Sequence, residues 1–299
     1  VLKSAIIQND DHLNLSLNPI DVTDFSSELS MTLTPERPQL TVQELAEIMQ
    51  VVMRVGVLML KFGTVSFRVE QAMQRVALGL GVERLDAYVT LTGITASIHC
   101  GNQHYTQIAR VKGLGVDMSR LGAVEYLTLH LPSNATPLQL CAMLDKIELA
   151  PTPYPPWLVL LAVATACGAF AILSGGNWID CLAAFISAGL GLQLRGRLQR
   201  VRLNPIAVTI ICAAFATGIC YLIVQGLAFL QVQSPLPQAS FLAAVLFQVP
   251  GMLLVTASLD LVRLDLISGI ARVAYALIQL FSVAIGILIV MGITGFSIL

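Results

Sequence analysis

From Trp157 onward the chain reads as long apolar runs separated by short polar links, whereas the preceding hundred or so residues alternate on shorter periods. Five apolar runs fall at about 157–174, 179–194, 206–230, 239–259 and 267–295. A helix needs about 20 apolar residues to cross a bilayer, so these runs predict an all-α membrane bundle of about five transmembrane helices. The second run is short, with Asp180 at its mouth. Small residues recur at four-residue spacing: Ala164 and Gly168, Ala183 and Ser187, Ala184 and Ala188. That spacing lets helix backbones approach closely in lipid, and ordinary packing accounts for it. Pro250 and Gly251 fall in the middle of the fourth run. Proline removes a backbone donor there, and the freed carbonyls must find neighbours or line a cavity.

Residues 41–150 have a different pattern. Thr41-Val42-Gln43-Glu44 fits a helix capping box, and Leu45, Ile48, Val52, Val55, Met59 and Phe62 follow at helical spacing until Gly63. A second helix carries Val69, Met73, Val76 and Leu80 on one face and ends at Gly79 and Gly81. Alternation over 85–91, 94–100 and 103–111, with turns at Thr92-Gly93 and Gly101-Asn102, predicts a three-stranded antiparallel meander. Helices over about 117–130 and 137–148 complete an α+β domain, the last announced by Thr136-Pro137. The segment 151–156 is proline-rich, and a stiff linker of that kind would hold the domain off the membrane. Residues 1–40 are expected to be a disordered acidic tail, with Asp10, Asp11, Asp21, Asp24 and Glu28 and no secretory signal pattern.

Charge sets the orientation. Arg195, Arg197, Arg200 and Arg202 lie between the second and third runs, while the links at 175–178 and 231–238 hold no Lys or Arg. Basic loops stay inside, so the α+β domain is expected to be cytoplasmic and the C-terminus outside. The net charge of −1 gives no support to nucleic-acid binding. Six cysteines form no C-x-x-C, no nucleotide fingerprint is present and no cofactor is called for. His99 and His104 would face each other across the Gly101-Asn102 turn, but two ligands make a weak metal site. No catalytic set of nucleophile and base can be placed, so an enzyme is not expected.

The remaining charges are concentrated in Asp260, Arg263, Asp265 and Arg272. Asp260 and Arg263 could pair at i,i+3 near the cytoplasmic mouth, where charge is cheap. Arg272 lies more than a turn inside the fifth run, and such a residue faces the bundle interior and needs a partner. Asp265 and Asp180 are the acidic residues considered for it.

Three stretches resemble the threonine/serine exporter (ThrE-like) family. They are Phe62-Gly63, Arg68-Val69-Glu70 and Leu80-Gly81-Val82-Glu83; Val89-Thr90, Thr92-Gly93-Ile94; and Val249-Pro250-Gly251 with Asp260, Asp265, Ser268-Gly269 and Arg272. The resemblance implies a bacterial inner-membrane exporter of small hydroxy amino acids, driven by an ion gradient with protons as the expected ion. Family members look like two halves, so the chain is expected to be the first half of a split system that needs a second membrane subunit and contacts membrane lipid. Split pairs are linked to dicarboxylates such as succinate, which gives an alternative substrate. Under this reading Pro250 and Gly251 open backbone groups near the substrate, with Ser268 and Gly269 beside them. Arg272 pairs with the substrate carboxylate or with Asp265, and Asp180, Asp260 or Asp265 carries the proton. Gly63, Arg68, Glu70, Thr92 and Gly93 are candidates for a cytoplasmic gate. Tyr275 stands where the resemblance would place an acidic residue. A membrane-anchored sensor or scaffold, with the α+β domain binding a ligand, is the alternative of another class.

Overall fold

The computed structural model describes residues 40–299 except 112, 114, 133, 134, 202, 230–236 and 296–299. The acidic tail expected over 1–40 lies outside the described residues apart from Leu40, as does most of the link expected at 231–238.

Helix α1 (Val42–Lys61) starts as its sequence demands. Thr41 Oγ1 accepts from the Glu44 N–H at 3.3 Å, and the Glu44 carboxylate accepts from the Thr41 N–H at 2.8 Å. Its apolar side chains are buried almost all round, including Leu45, Met49, Val52, Val55 and Met59, so α1 is the centre of its layer. It ends at Gly63, whose φ of +94° suits glycine and whose hydrogen side lies against the Gly115 carbonyl. Helix α2 (Ser66–Gly79) buries Val69, Ala72, Met73 and Val76 in the same core.

Strands β1 (Arg84–Thr90), β2 (Gly93–Cys100) and β3 (Gln103–Arg110) form one antiparallel sheet in sequence order. Leu85 opposes Ile98 and Val89 opposes Ile94, so one face is apolar and packs on the helices. The first turn departs from expectation: Thr90 pairs with Gly93, which makes Leu91-Thr92 the loop and puts Gly93 inside the strand. The Thr90 hydroxyl donates to the Gly93 carbonyl at 3.0 Å and fixes that register. Helices α3 (Met118–Leu129) and α4 (Pro137–Leu149) add Leu121, Val124, Leu140 and Leu144 to this core.

The second half is helical: α5 (Pro156–Leu173), α6 (Trp178–Arg200), α7 (Pro205–Phe229), α8 (Pro237–Ala244), α9 (Gly251–Val262) and α10 (Leu266–Thr294). Among the described residues, α5, α7 and α10 are long and apolar enough to cross a bilayer. The run expected at 239–259 is not one helix. Residues 238–248 and 251–262 are bent by 64° across Val249-Pro250 and together are apolar enough for a broken span or a re-entrant loop. The cause is local: Pro250 has no N–H to give, and the residue before it, Val249, is extended. Helix α6 carries Arg195, Arg197 and Arg200 toward its C-terminal end, so its apolar stretch is shorter.

Small residues set the interhelical distances. Ala164, Gly168, Ala183, Ala184, Ser187 and Ala188 are all buried. Gly286 of α10 lies so close to α7 that a Cβ there would come within 2.6 Å of the Ala213 Cβ and 2.7 Å of the Ile210 carbonyl. Backbone cannot yield as a flexible side chain can. Replacing Gly286 by leucine should therefore lower the yield of monodisperse protein in detergent and its unfolding temperature. Gly292→Leu on the same helix, where a side chain meets open space, should change neither.

A buried ion pair beside a cavity at the broken helix

The direction of the chain between α9 and α10 reverses at Leu264, which takes a left-handed φ of 65°, costly for a branched side chain. The reversal lays the last turn of α9 against the first turns of α10. Gly269 permits the approach, since a Cβ there would reach 2.7 Å from the Leu261 side chain. Asp260 and Arg272, 0% and 2% exposed, then meet face to face.

The two charges are enclosed and fully partnered. Arg272 Nε donates to Asp260 Oδ2 at 2.9 Å. Its Nη1 donates to Thr256 Oγ1 at 3.2 Å and its Nη2 to the Thr64 carbonyl at 3.0 Å. Asp260 Oδ1 accepts from the Ser66 N–H at 3.0 Å, and Oδ2 accepts from the hydroxyls of Ser66 at 3.1 Å and Ser268 at 2.9 Å. Those two hydroxyls are 2.6 Å apart. Burying a carboxylate and a guanidinium is costly unless each finds hydrogen-bond partners, and here every oxygen and nitrogen of the pair has one. The turn at Thr64 and the start of α2 supply part of that set. The first layer is therefore clamped onto the helical half rather than held off by residues 151–156. Asp260 is not a solvated mouth charge and does not pair with Arg263, whose guanidinium lies 3.7 Å over the Phe67 ring. Asp265 is not the partner of Arg272; its N–H donates to the Asp260 carbonyl at 2.9 Å at the head of α10.

Beside the pair lies a cavity of about 470 Å³. The break in α8–α9 lines it from Phe247 through Leu253, with Thr256, Arg272, Tyr275 and Gln279 next to it. Arg195 and Gln199 come from α6, and Leu60, Gly63, Leu91, Gly115 and Val116 wall it on the side of the first layer. A second cavity of about 440 Å³ shares Leu91, Arg195, Gln199, Tyr275 and Gln279 and adds Thr92. At the break, the Gln248 amide, in the orientation that satisfies both ends, donates to the Thr209 carbonyl at 3.0 Å and accepts from the Ala213 N–H at 2.9 Å. Those two groups are an i,i+4 pair of α7, so one side chain ties the broken segment to the ladder of its neighbour.

The sequence candidates thus divide. Pro250, Gly251, Arg272 and Gly63 line the first cavity, and Thr92 lines the second. Asp260 and Ser268 stand behind Arg272, and Gly269 is a packing residue. Gly93 is in a strand. Arg68 does not pair with Glu70; its Nη2 is 3.0 Å from the Glu125 carboxylate on α3. Asp180 is buried at the N-terminal end of α6, where it accepts from the Asn177 N–H at 2.9 Å, roughly 22 Å along the helix from Arg195. It does not belong to this group. Sequence reasoning passed over Thr64, Ser66, Thr256, Arg195, Gln199, Gln248 and Gln279. Ser66 had a signal, since it sits inside the stretch from Gly63 to Arg68.

With this arrangement in hand, the sequence model of the threonine/serine exporter family, ThrE, matches residues 50–294. The chain belongs to the threonine/serine exporter family. A protein of Escherichia coli K12 named "Probable succinate transporter subunit YjjP" is 24% identical over 80% of this chain and 92% of its own length. A "Probable threonine/serine exporter" of Mycobacterium tuberculosis H37Rv is 26% identical over 81% of this chain and 45% of its own. A "Threonine/serine exporter" of Corynebacterium glutamicum is 29% identical over 58% of this chain and 32% of its own. No solved structure matches the chain. Membership of a transporter family, with several apolar helices long enough to span, makes it a multi-pass membrane protein.

Two outcomes follow from the geometry. Arg272→Gln leaves the Asp260 carboxylate buried without its cation, and breaking a buried pair in this way costs about 3–5 kcal/mol. It should lower the unfolding midpoint in detergent more than the double variant Asp260→Asn/Arg272→Gln does, and thermal unfolding of the three proteins measures the difference. The second concerns Glu70, whose carboxyl is pushed above its ordinary range by burial first and then by the negative charge of Asp265, against a backbone hydrogen bond from Val89. The folded state then binds the proton more tightly than the unfolded state. Stability relative to Glu70→Gln should fall as pH rises from about 4.3 and level off above the folded value. Unfolding midpoints of both proteins across that range would test the sign.

Proposed function

We propose that the chain is one subunit of a secondary transporter that exports a small carboxylate-bearing metabolite, with the cavity at the α8–α9 break as its substrate site. The observation that carries the reading is the juxtaposition of that break with a buried, fully partnered Asp260–Arg272 pair. Broken helices place backbone groups at substrate sites in transporters, and an ionisable pair inside a bundle is expensive to keep without a use.

In this reading α5, α6, α7, the α8–α9 pair and α10 are five spans of a bacterial inner-membrane protein. Arg195, Arg197 and Arg200 lie at the C-terminal end of α6 and Arg202 follows in the sequence before α7, which favours a cytoplasmic location for that end and for the α+β layer beside it, with the C-terminus outside. The ends of α6, α9 and α10 that carry Arg195, Asp260 and Arg272 all come to the α+β layer, which supports placing them on one side.

Asp260 is the proton-coupling residue. When its carboxylate is charged it holds Ser66 and Arg272, and the layer stays clamped. A proton on Asp260 removes the ionic attraction to Arg272 and one acceptor position for Ser66 and Ser268, which loosens the clamp and opens the cavity. The gate is then the turn from Gly63 to Ser66, with Thr92 beside the second cavity.

Two substrates come from the family: threonine or serine, and a dicarboxylate such as succinate. The described lining residues include Arg195 and Arg272 and no Asp or Glu to receive an ammonium group, which favours the dicarboxylate. The match to nearly the whole length of a relative named as a succinate transporter subunit points the same way and supports a second membrane subunit.

Proteoliposomes holding this chain and its partner subunit, loaded with labelled succinate or threonine, test the proposal. Efflux that needs both subunits and an imposed proton gradient is expected. Asp260→Asn should retain substrate exchange while losing at least tenfold of gradient-driven efflux. Wild-type protein that moves neither compound, with both subunits present in the membrane, would overturn the exporter reading in favour of a membrane-anchored sensor.

A further inference from the structure

We propose that Arg195 is the carboxylate-binding residue of the transport cavity; the inference rests on the exporter reading and adds to it the group that recognises the substrate. Among the described residues two guanidinium groups line the first cavity, and they are not equivalent. The charge of Arg272 is already matched by Asp260, and each of its three nitrogens donates within the wall, to Asp260, Thr256 and the Thr64 carbonyl. With its charge neutralised inside the wall, it attracts an anion less strongly than an unmatched guanidinium would. Arg195 is different. Carboxylate partners among the described residues go to Arg54, Arg68, Arg84, Arg120 and Arg272, and none goes to Arg195.

Its position separates it from the other arginines of the same segment. Arg197 and Arg200 are exposed, as expected of residues that only hold a loop on one side of a membrane. Arg195 is half-buried and lines both cavities, so it stands where they meet. Gln199, Tyr275 and Gln279 line the same two spaces and offer neutral donors and acceptors around it. A cationic fork in a cavity that contains no described acidic side chain selects a carboxylate, which it can take through two parallel hydrogen bonds. An unmatched charge partly withdrawn from water also binds an anion more strongly than one on an open surface. The geometry therefore assigns capture of the substrate carboxylate to Arg195 and the proton-linked clamp to Asp260 and Arg272.

The test compares acids with their amides in proteoliposomes that hold the complete transporter. Unlabelled succinate and its diamide succinamide compete for efflux of labelled succinate, and threonine and threoninamide for labelled threonine. Wild type should prefer the acid by about tenfold or more. Arg195→Gln should lose about tenfold or more in apparent affinity for the acid and lose most of that preference, while Arg197→Gln should behave as wild type. Arg195→Lys keeps the charge without the fork and should retain an intermediate preference, which guards against a glutamine variant that fails to fold. An Arg195→Gln protein that still prefers the acid as wild type does would overturn this assignment and leave the exporter reading standing. Wild type that moves neither probe would overturn the exporter reading and this assignment with it.

Discussion

The Asp260–Arg272 ion pair is the constraint on which the arrangement of the chain depends. Two opposite charges in an apolar bundle persist only when they pair closely and find further hydrogen-bond partners. The bundle alone supplies part of that set, from Thr256 on α9 and Ser268 on α10. The rest comes from the turn between α1 and α2, through the Thr64 carbonyl and the backbone and side chain of Ser66. The α+β layer is therefore an integral part of the polar centre of the helical half. That dependence explains why a turn nearly two hundred residues away along the chain carries a glycine with a left-handed backbone and two buried hydroxyl residues.

The same constraint places the cavity. Pro250 ends one helical piece and starts another, and Gln248 fastens the break to α7. The space left at the break is bounded by Arg272 on one side and by the α+β layer on another. A change in the charge of Asp260 would then act at once on the fit of the layer and on the wall of the cavity. If Asp260 carries the coupling proton and the cavity the substrate, coupling needs no long pathway, because Ser66, Asp260 and Arg272 are in direct contact and Arg272 lines the cavity.

Much of this was legible in the sequence, for physical reasons that can be named. The capping boxes at Thr41 and Thr136 and the strand alternation are local signals, and local structure followed them, whereas the apolar run over 239–259 became two pieces bent by 64°. Pro250 and Arg272 were visible because each violates the rule of its surroundings. What failed was partner assignment. Sequence distance favoured Arg263 or Asp265, but the reversal at Leu264 and the bare backbone of Gly269 bring Asp260 to Arg272 instead. The linker composition suggested separation, and only tertiary contacts could show Ser66 reaching Asp260. Arg195 was read as an orientation signal, because its place in a run of arginines says nothing of which one faces inward.

The central claim is that the hydrogen bonds of Asp260 hold the α+β layer closed over the cavity. Labelling of a cysteine placed at Gln279, in a chain with its six native cysteines replaced, by a thiol reagent that cannot cross membranes tests it most directly in inside-out vesicles. The account predicts slow labelling with Asp260 and Ser66 intact, and labelling faster by at least several-fold when Asp260→Asn or Ser66→Ala breaks the clamp. Equal rates in all three proteins would contradict it.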